Sequence, residues 1–230
     1  MNDLQLYEKF ASDWWCPRGG IFRSLRGISK FRLELISRWI PDIQNKTLVD
    51  LGCGGGLLSA PLSKKGAIVT GVDLSAASLR EAKAHSAESA QYIQSDIRHV
   101  PLPDKMADVV LLADVLDHLA DYPVALAEAR RILKPGGYVF INTINRNLVS
   151  KLLAVTIAEN INLVPKGTHD PSMFIRPSEL EEAATNAGFK VIEWQGERPA
   201  IAKTVRNWAI HFAPCRNLSV AYSALLMAVE

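Results

Sequence analysis

The sequence predicts an α/β protein with a doubly wound, mostly parallel, seven-stranded sheet. Short apolar runs alternate with helical segments from about Lys46 onward, and a glycine-rich loop joins the first run to the first helix. Helical connections between parallel strands place ligands beyond the carboxyl ends of the strands. The 230 residues fit one domain, 1–230, with an N-terminal helical cap (1–45) and an insert after the fifth strand (145–170).

Each element has its own local signal. Strands are expected at buried apolar runs that end in glycine or an acid, and helices where an N-cap or a glycine stop bounds a periodic segment. Ser75 is the expected N-cap of one helix, and K-P-G-G at 134–137 stops another. The expected strands are 47–51, 67–72, 91–93, 107–112, 138–143, 190–195 and 220–229. The expected helices from the first strand onward are 57–65, 76–86, 123–133 and 177–187.

Composition excludes several classes of function. A formal net charge of +2 without a dense Lys/Arg stripe argues against nucleic acid as a partner. Three cysteines without C-x-x-C spacing favour reduced thiols over disulfides or structural zinc. The polar first ten residues predict no signal peptide, and no apolar run reaches the ~20 residues of a membrane span. The expected location is the cytoplasm.

The loop D-L-G-C-G-G-G at 50–56 follows the first expected strand. Glycines let a backbone turn tightly and approach a ligand closely. A dinucleotide fingerprint starting at Gly52 would need glycine at position 57, where the chain has Leu57. The loop therefore favours a ligand without a pyrophosphate, held at the start of the helix through a carboxylate.

Two further acids follow the next two strands. Asp73 ends the second strand, where a carboxylate can accept both hydroxyls of a ribose. Asp96 follows the third strand, where a carboxylate can accept an exocyclic amine of adenine. Acids and glycines at three successive strand ends together predict an adenosine-containing ligand.

These motifs, with Ser95-Asp96 and L-K-P-G-G at 133–137, resemble the motif series of class I S-adenosylmethionine-dependent methyltransferases. The resemblance implies a Rossmann-like methyltransferase fold with S-adenosylmethionine as cofactor. It places Arg32 at the cofactor carboxylate and Ala113 against the adenosyl group. The implied cofactor-binding residues are Arg32, Asp50, Gly52, Gly54, Gly56, Asp73, Leu74, Asp96, Ile97 and Ala113.

Further segments resemble one branch, the ubiquinone-biosynthesis O-methyltransferases that act on polyprenylated catechols. They are F-A-S-D-W-W at 10–15, G-I-F at 20–22, F-R-L at 31–33, N-R-N at 145–147 and P-K-G-T-H-D at 165–170. The likeness extends to about Gln195 and leaves 196–218 unmatched. It implies methyl transfer to a phenolic hydroxyl of a prenylated quinone precursor, so the expected partner is a lipid-like phenolic or quinol substrate.

Asp114, Asp117 and His118 follow the fourth strand within one helical turn. The quinone branch carries Glu-x-x-Glu-His here, linked to a divalent metal, so the resemblance implies a site for Mg, Mn or Zn. Both glutamates are aspartates in this chain, and the other interpretation is a helix start in which acids complement the dipole. His118, assisted by Asp117, is the candidate base, and His169 is the second candidate.

The insert contains apolar residues at helical spacing between 148 and 164. They are Val149, Leu152, Leu153, Ile157, Ile161 and Val164. One interpretation is a helix that covers the core. The other is a surface that rests on a bilayer and admits a prenylated substrate, which would place the protein at the inner face of the membrane.

Three alternatives remain open from the sequence. Another small-molecule or quinone-ring C-methyltransferase would share the cofactor motifs. A non-catalytic S-adenosylmethionine-binding module would lack a base near the methyl group, and His118 argues against it. A nicotinamide oxidoreductase is disfavoured because Leu57 interrupts the fingerprint.

Overall fold

A computed structural model describes residues 3–17 and 19–229. Within them the chain forms one eight-stranded sheet with the order β3-β2-β1-β4-β5-β8-β6-β7. The first five strands pair in parallel, whereas β8, β6 and β7 pair antiparallel to their neighbours. The strands are β1 Thr47–Leu51, β2 Ile68–Asp73, β3 Gln91–Gln94, β4 Ala107–Ala113, β5 Leu133–Ile144, β6 Phe189–Pro199, β7 Phe212–Cys215 and β8 Ala221–Ala228.

The doubly wound, mostly parallel sheet is confirmed, but the expected number of seven strands is wrong. The strand that was not expected is β7. It pairs with the end of β6, where Gly196 lies opposite Cys215 and Pro199 lies opposite Phe212. It is a short edge strand that contains Pro214, a residue tolerated at sheet edges because it donates no ladder hydrogen bond. Such a strand has neither the apolar run nor the alternation that identifies strands in a sequence.

Helices connect the strands and cover both faces of the sheet. Ser75 caps one of them as expected, since its Oγ accepts a hydrogen bond from the Ser78 amide at 3.1 Å. The helices are α1 Asp3–Lys9, α2 Arg23–Trp39, α3 Ser59–Lys64, α4 Ala76–His85, α5 Tyr122–Ile132, α6 Leu148–Ser150, α7 Ala158–Asn160, α8 Pro177–Asn186 and α9 Ile201–Asn207. Single turns of 3₁₀ helix lie at Ala11–Asp13 and Leu116–His118.

The buried core lies on both faces of the sheet because successive strand residues point to opposite sides. On one face, Phe140 of β5 and Leu225 of β8 belong to the same buried cluster as Leu35 and Ile36 of α2. Arg32 is one turn earlier in α2 and is also buried. The packing of α2 therefore brings a charged residue over the sheet.

The insert is helical but not as the regular helix expected over 148–164. A π-helical segment, Lys151–Ile157, separates the short helices α6 and α7. Of the expected apolar stripe, Val149, Leu152, Ile157 and Ile161 are exposed, whereas Leu163 next to it is buried. Across the part of the chain that the structure describes, no helix has the length and apolar character of a membrane span.

Candidate active site

The glycine loop lies at the carboxyl end of β1, as expected. Gly52, Gly54 and Gly56 have φ angles of 80°, 51° and 78°, a conformation that other residues rarely adopt. A Cβ added at Gly52 would lie 2.5 Å from Cγ2 of Val115, which follows β4. The loop thus needs glycine both for its turn and for its close approach to the neighbouring strand end.

Asp73 joins the end of β2 to this loop. Its Oδ2 accepts a hydrogen bond from the Gly54 amide at 2.8 Å, and its Oδ1 accepts one from the Ser75 amide at 2.8 Å. Burial raises the pKa of the Asp73 carboxyl, and these backbone hydrogen bonds oppose the rise. The carboxylate is held in one orientation beside the loop, as the expected role at a ribose requires.

Asp50 lies beneath the loop rather than on its surface. It is buried, and its Oδ2 accepts a hydrogen bond from the Ser59 hydroxyl. Burial raises the pKa of Asp50 to about 7, opposed by Ser59 and reinforced by Asp73. The structure therefore places Asp50 where it supports the turn between β1 and α3, and its role toward a cofactor stays a prediction.

The remaining cofactor candidates lie at neighbouring strand ends. Both carboxylate oxygens of Asp96 accept hydrogen bonds from Nε of Arg98, at 3.0 and 3.1 Å. Ile97 is buried in the core, and Leu74 is half exposed after Asp73. Ala113 ends β4. Their roles toward a cofactor stay predictions.

Two tryptophans of the N-terminal cap pack on the glycine loop. Nε1 of Trp15 donates to the Gly55 carbonyl at 2.7 Å, and Nε1 of Trp14 donates to the Ser78 hydroxyl at 2.9 Å. A Cβ added at Gly55 would lie 2.1 Å from Cγ of Trp14. Trp14 also stacks on Phe22, with ring centroids 3.9 Å apart. The pair therefore covers the loop and fixes the cap over it.

Arg32 forms an ion pair with Asp114, the residue after β4. Burial lowers the pKa of Arg32 to about 10, and the charges of Glu197 and Asp117 oppose that change. Its buried Nε has no hydrogen-bond partner within the described residues. Arg32 thus shares its charge among three carboxylates at the carboxyl ends of the strands.

Glu197, Asn142 and Ser223 extend this buried polar cluster, and the sequence did not indicate them. Nδ2 of Asn142 donates to Oε1 of Glu197 at 2.6 Å, and the Ser223 hydroxyl donates to the same oxygen at 2.6 Å. Burial raises the pKa of Glu197, and Arg32 opposes the rise. One feature of the sequence could have indicated this cluster: the polar residue Asn142 inside the otherwise apolar run of β5.

Asp117, His118 and His169 form the candidate proton-transfer site. Asp117 is buried in the 3₁₀ turn Leu116–His118, and its Oδ1 has no hydrogen-bond partner among the described residues. Burial lowers the pKa of His169, the charge of Asp117 opposes this, and His118 adds to it. The two histidines and Asp117 therefore act on one another electrostatically, although 50 residues separate the histidines in the chain.

Glu159 of the insert positions the loop that carries His169. Its Oε2 accepts from the Gly167 amide at 2.8 Å, and its Oε1 accepts from the His169 amide at 3.3 Å. Nδ1 of His169 lies 3.6 Å from Oε1 of Glu159. The insert thus contributes directly to the geometry of the second candidate base.

The expected metal site at Asp114, Asp117 and His118 is not formed. No group of three His, Cys, Asp or Glu side chains among residues 3–17 and 19–229 has an arrangement that could hold a metal ion. The physical reason is local: Asp114 has a φ angle of 52° and its carboxylate pairs with Arg32, whereas Asp117 and His118 lie in a separate 3₁₀ turn. The three residues do not fit a metal ion in this conformation.

Comparisons with known proteins agree with the fold and the motifs. A family model described as a methyltransferase domain matches residues 49–141. The chain is 38% identical over 200 residues to the ubiquinone biosynthesis O-methyltransferase of Hydrogenovibrio crunogenus, covering 85% of this chain and 82% of that protein. The enzyme of the same name from Coxiella burnetii is 36% identical over 220 residues, 94% of this chain and 88% of the relative.

Solved structures match over nearly the whole chain at low sequence identity. An S-adenosylmethionine-dependent methyltransferase from Thermotoga maritima superposes with a TM-score of 0.69 at 19% identity, covering 97% of this chain and 98% of that one. Magnesium protoporphyrin IX methyltransferase from Synechocystis, with bound S-adenosylhomocysteine, superposes with a TM-score of 0.68 at 15% identity, covering 99% and 100%. At such identities these structures establish the fold.

Proposed function

This chain belongs to the ubiquinone biosynthesis O-methyltransferase family of S-adenosylmethionine-dependent methyltransferases, and from that premise we propose its acceptor and its site residues. The acceptor is a phenolic hydroxyl of a polyprenylated quinone precursor. The observation that supports this most strongly is the grouping of Asp117, His118 and His169 at the sheet edge that carries the glycine loop and Asp73. A methyl acceptor with an ionisable hydroxyl needs a base at that edge.

The cofactor site fits the residues present. Asp73 would accept the ribose hydroxyls, because its carboxylate is fixed beside the loop by the Gly54 and Ser75 amides. The loop from Gly52 to Gly56 would lie against the amino acid part, because its glycines let the backbone approach a ligand closely. Asp96 would accept the adenine amine. Leu74, Ile97 and Ala113 would flank the adenosyl group.

Arg32 would bind the cofactor carboxylate through its unpartnered Nε side while it keeps Asp114 in place. When bound, S-adenosylmethionine supplies an electrophilic methyl group on a sulfonium. The protein must then align the acceptor oxygen with that methyl group and remove the phenolic proton.

A neutral imidazole is the group best suited to take that proton near neutral pH. Burial keeps the pKa of His169 below its ordinary value, so this ring is neutral and able to accept. Asp117 would stabilise an imidazolium once it forms, since its charge raises the pKa of His169. His118 adjoins Asp117 in the 3₁₀ turn that follows β4, so we propose His118 as the base and keep His169 as the second candidate. No step is assigned to a metal.

The exposed apolar residues of 148–164 support a membrane face on the insert. Leu148 is 83% exposed, and Leu152 and Ile157 are exposed beside it. An acceptor with a prenyl tail resides in a bilayer, and an apolar helical surface would let the enzyme reach it there. We propose a cytoplasmic protein that binds the inner face of the membrane.

The test is product analysis with purified protein, S-adenosylmethionine and a short-tailed prenyl catechol. NMR and mass spectrometry should show a methyl group on a phenolic oxygen. A methyl group on a ring carbon would instead establish a C-methyltransferase, and cofactor binding without any product would establish a non-catalytic module. A parallel reaction with EDTA should retain turnover. Loss in EDTA with recovery on Mg, Mn or Zn would restore the metal role of Asp114, Asp117 and His118.

A further inference from the structure

Helix α9, in the segment 196–218 that follows the motifs of the quinone branch, presents an apolar surface to solvent. Ile201, Val205 and Trp208 are 72%, 63% and 51% exposed. Ile201 and Val205 lie at positions i and i+4 and share one side of the helix, and Trp208 is the residue that ends it. No residue of α9 is buried. A stripe of apolar residues on an exposed helix indicates a surface that binds a partner.

The stretch of sequence that contains α9 carries charge of one sign. Between Arg198 and Val229 the sequence contains no Asp or Glu. The same stretch contains four basic residues, Arg198, Lys203, Arg206 and Arg216, and all four are exposed. No ion pair involves them within the residues that the structure describes. The positive charge is therefore available to an anionic surface.

The end of α9 is fixed beside the end of the insert. Nε of Arg23, at the start of α2, donates to the Trp208 carbonyl at 2.8 Å, and its guanidinium also donates to the Asn162 carbonyl. The Ser24 hydroxyl donates to the Leu163 carbonyl at 2.6 Å and accepts from the Ile210 amide at 3.0 Å. Two exposed apolar stretches, far apart in sequence, thus meet at the start of α2.

We infer that α9 is a second membrane-docking element, specific for bilayers with anionic headgroups. Apolar residues on one side of a helix and Lys/Arg on the other are typical of helices that lie in the bilayer interface, and Trp is favoured at that depth. Lys203 and Arg206 lie on the side of α9 away from the stripe, by helical spacing. Docking through α9 would extend the membrane face proposed for the insert. The inference rests on the proposed function only in one respect, the biological purpose of docking.

A second copy of this chain fits the surface less well. A closed dimer uses the same patch on both subunits, so it would bury the apolar residues of α9 but leave Lys203 and Arg206, on the other side of the helix, without a counter-charge. The patch itself offers none, because no Asp or Glu lies between Arg198 and Val229. An anionic bilayer supplies both the apolar phase and the opposite charge.

The experiment is co-sedimentation of the full chain with phosphatidylcholine vesicles, with and without phosphatidylglycerol. One variant combines Ile201→Ser, Val205→Ser and Trp208→Asn, the last because Trp208 has a φ of 47° that Asn tolerates. A second combines Lys203→Gln and Arg206→Gln, with Lys64→Gln and Lys190→Gln as its charge-matched control. A third, Leu148→Ser with Leu152→Ser, tests the insert separately.

We expect wild-type protein to prefer anionic vesicles, and the Lys203/Arg206 variant to lose about tenfold in vesicle affinity at low salt but little at high salt. The apolar variant should lose binding at both salt concentrations. Melting temperature and turnover of a short-tailed acceptor should stay unchanged, because the substituted residues are exposed and none belongs to the proposed cofactor or proton-transfer site.

Full vesicle binding by both α9 variants, with loss only in the Leu148/Leu152 variant, would overturn the inference and leave the proposed membrane face intact. Indifference of wild-type protein to every vesicle would overturn both, without affecting the proposed chemistry. A concentration-dependent dimer that the apolar variant abolishes would assign α9 to self-association and also overturn the inference.

Discussion

Arg32 on α2 and Asp114 after β4 form an ion pair that ties the N-terminal cap to the carboxyl edge of the sheet. The arginine side chain is buried, whereas the aspartate is partly accessible. Glu197 adds a second buried carboxylate whose charge acts on Arg32. Because one cation serves several acids, removing it should cost more stability than the loss of a single contact.

We predict that Arg32→Met lowers the free energy of unfolding by about 3–5 kcal/mol, since it leaves buried carboxylates without a counter-charge. Adding Glu197→Gln should recover part of the loss, because the glutamine keeps the acceptor for Asn142 and Ser223 but not the charge. Urea unfolding measures both effects. Arg38→Met, at an exposed position of the same helix, is the control. Equal stability of Arg32→Met and wild type would show that the pair is not structurally important.

Asp73→Ala should remove most affinity for S-adenosylmethionine while the fold survives. The variant loses the acceptor for the ribose hydroxyls and also frees the Gly54 amide that orders the loop. The expected loss is about 2–4 kcal/mol of binding free energy. Calorimetric titration measures it, with Asp42→Ala as an exposed control. Unchanged affinity in a folded variant would contradict the assignment of Asp73 to the ribose.

Asp50 should make the stability of this protein depend on pH. Burial raises its pKa to about 7, so the folded state holds a proton that the unfolded state releases. Between about pH 4 and pH 7 the free energy of unfolding should therefore fall as the pH rises, and level off above that window. The direction is opposite to that of a carboxylate stabilised by an ion pair.

The variant Asp50→Asn should remove this dependence. The difference in free energy of unfolding, variant minus wild type, should be larger at pH 8 than at pH 5 by about 2–4 kcal/mol. The reason is that only the wild-type protein must bury a charge at the higher pH. Comparing two pH values cancels the change in the hydrogen bond with Ser59. Urea unfolding at both values measures it, and Asp42→Asn is the exposed control. Parallel pH profiles of Asp50→Asn and wild type would refute a raised pKa at Asp50.

Local sequence patterns correctly predicted those elements whose structure depends on neighbouring residues. The parallel strands are apolar runs buried on both faces, so β1 was predicted at its observed bounds, and β2 and β4 within one residue. The cap at Ser75 depends on one side chain and one nearby amide. The glycine loop and Asp73 were found because strand ends meet at one edge of a parallel sheet.

The sequence did not predict features that arise from packing between distant segments. Glu197 lies beyond the expected strand 190–195, yet β6 continues to Pro199 because β7 and β8 pair with its end. The pairing of Arg32 with Asp114 depends on how α2 lies over the sheet. It engages the Asp114 carboxylate, which the spacing of Asp114, Asp117 and His118 had suggested as a metal ligand. No residue spacing carries that information.

His118→Ala should lower kcat by roughly 10²–10⁴-fold, the usual contribution of a general base. Cofactor affinity should persist, because the proposed cofactor contacts are made by Asp73 and the glycine loop, at the ends of β2 and β1, and not by the His118 side chain. Turnover of a short-tailed catechol, measured with and without EDTA, tests the first expectation, and calorimetry tests the second. A smaller effect is expected for His169→Ala, whose Phe174 contact and Glu159 partner indicate a positioned but secondary group.

The pH profile distinguishes the two histidines. If His169 is the base, kcat should rise on the acid side through a pKa below the ordinary imidazole value. Asp117→Asn should then move this acid limb to still lower pH, because the Asp117 charge raises the pKa of His169. If His118 is the base, an acid limb should persist in His169→Ala, whereas it should disappear if His169 is the base. Near-normal turnover by His118→Ala, together with a limb that Asp117→Asn shifts downward, would therefore transfer the role of base from His118 to His169.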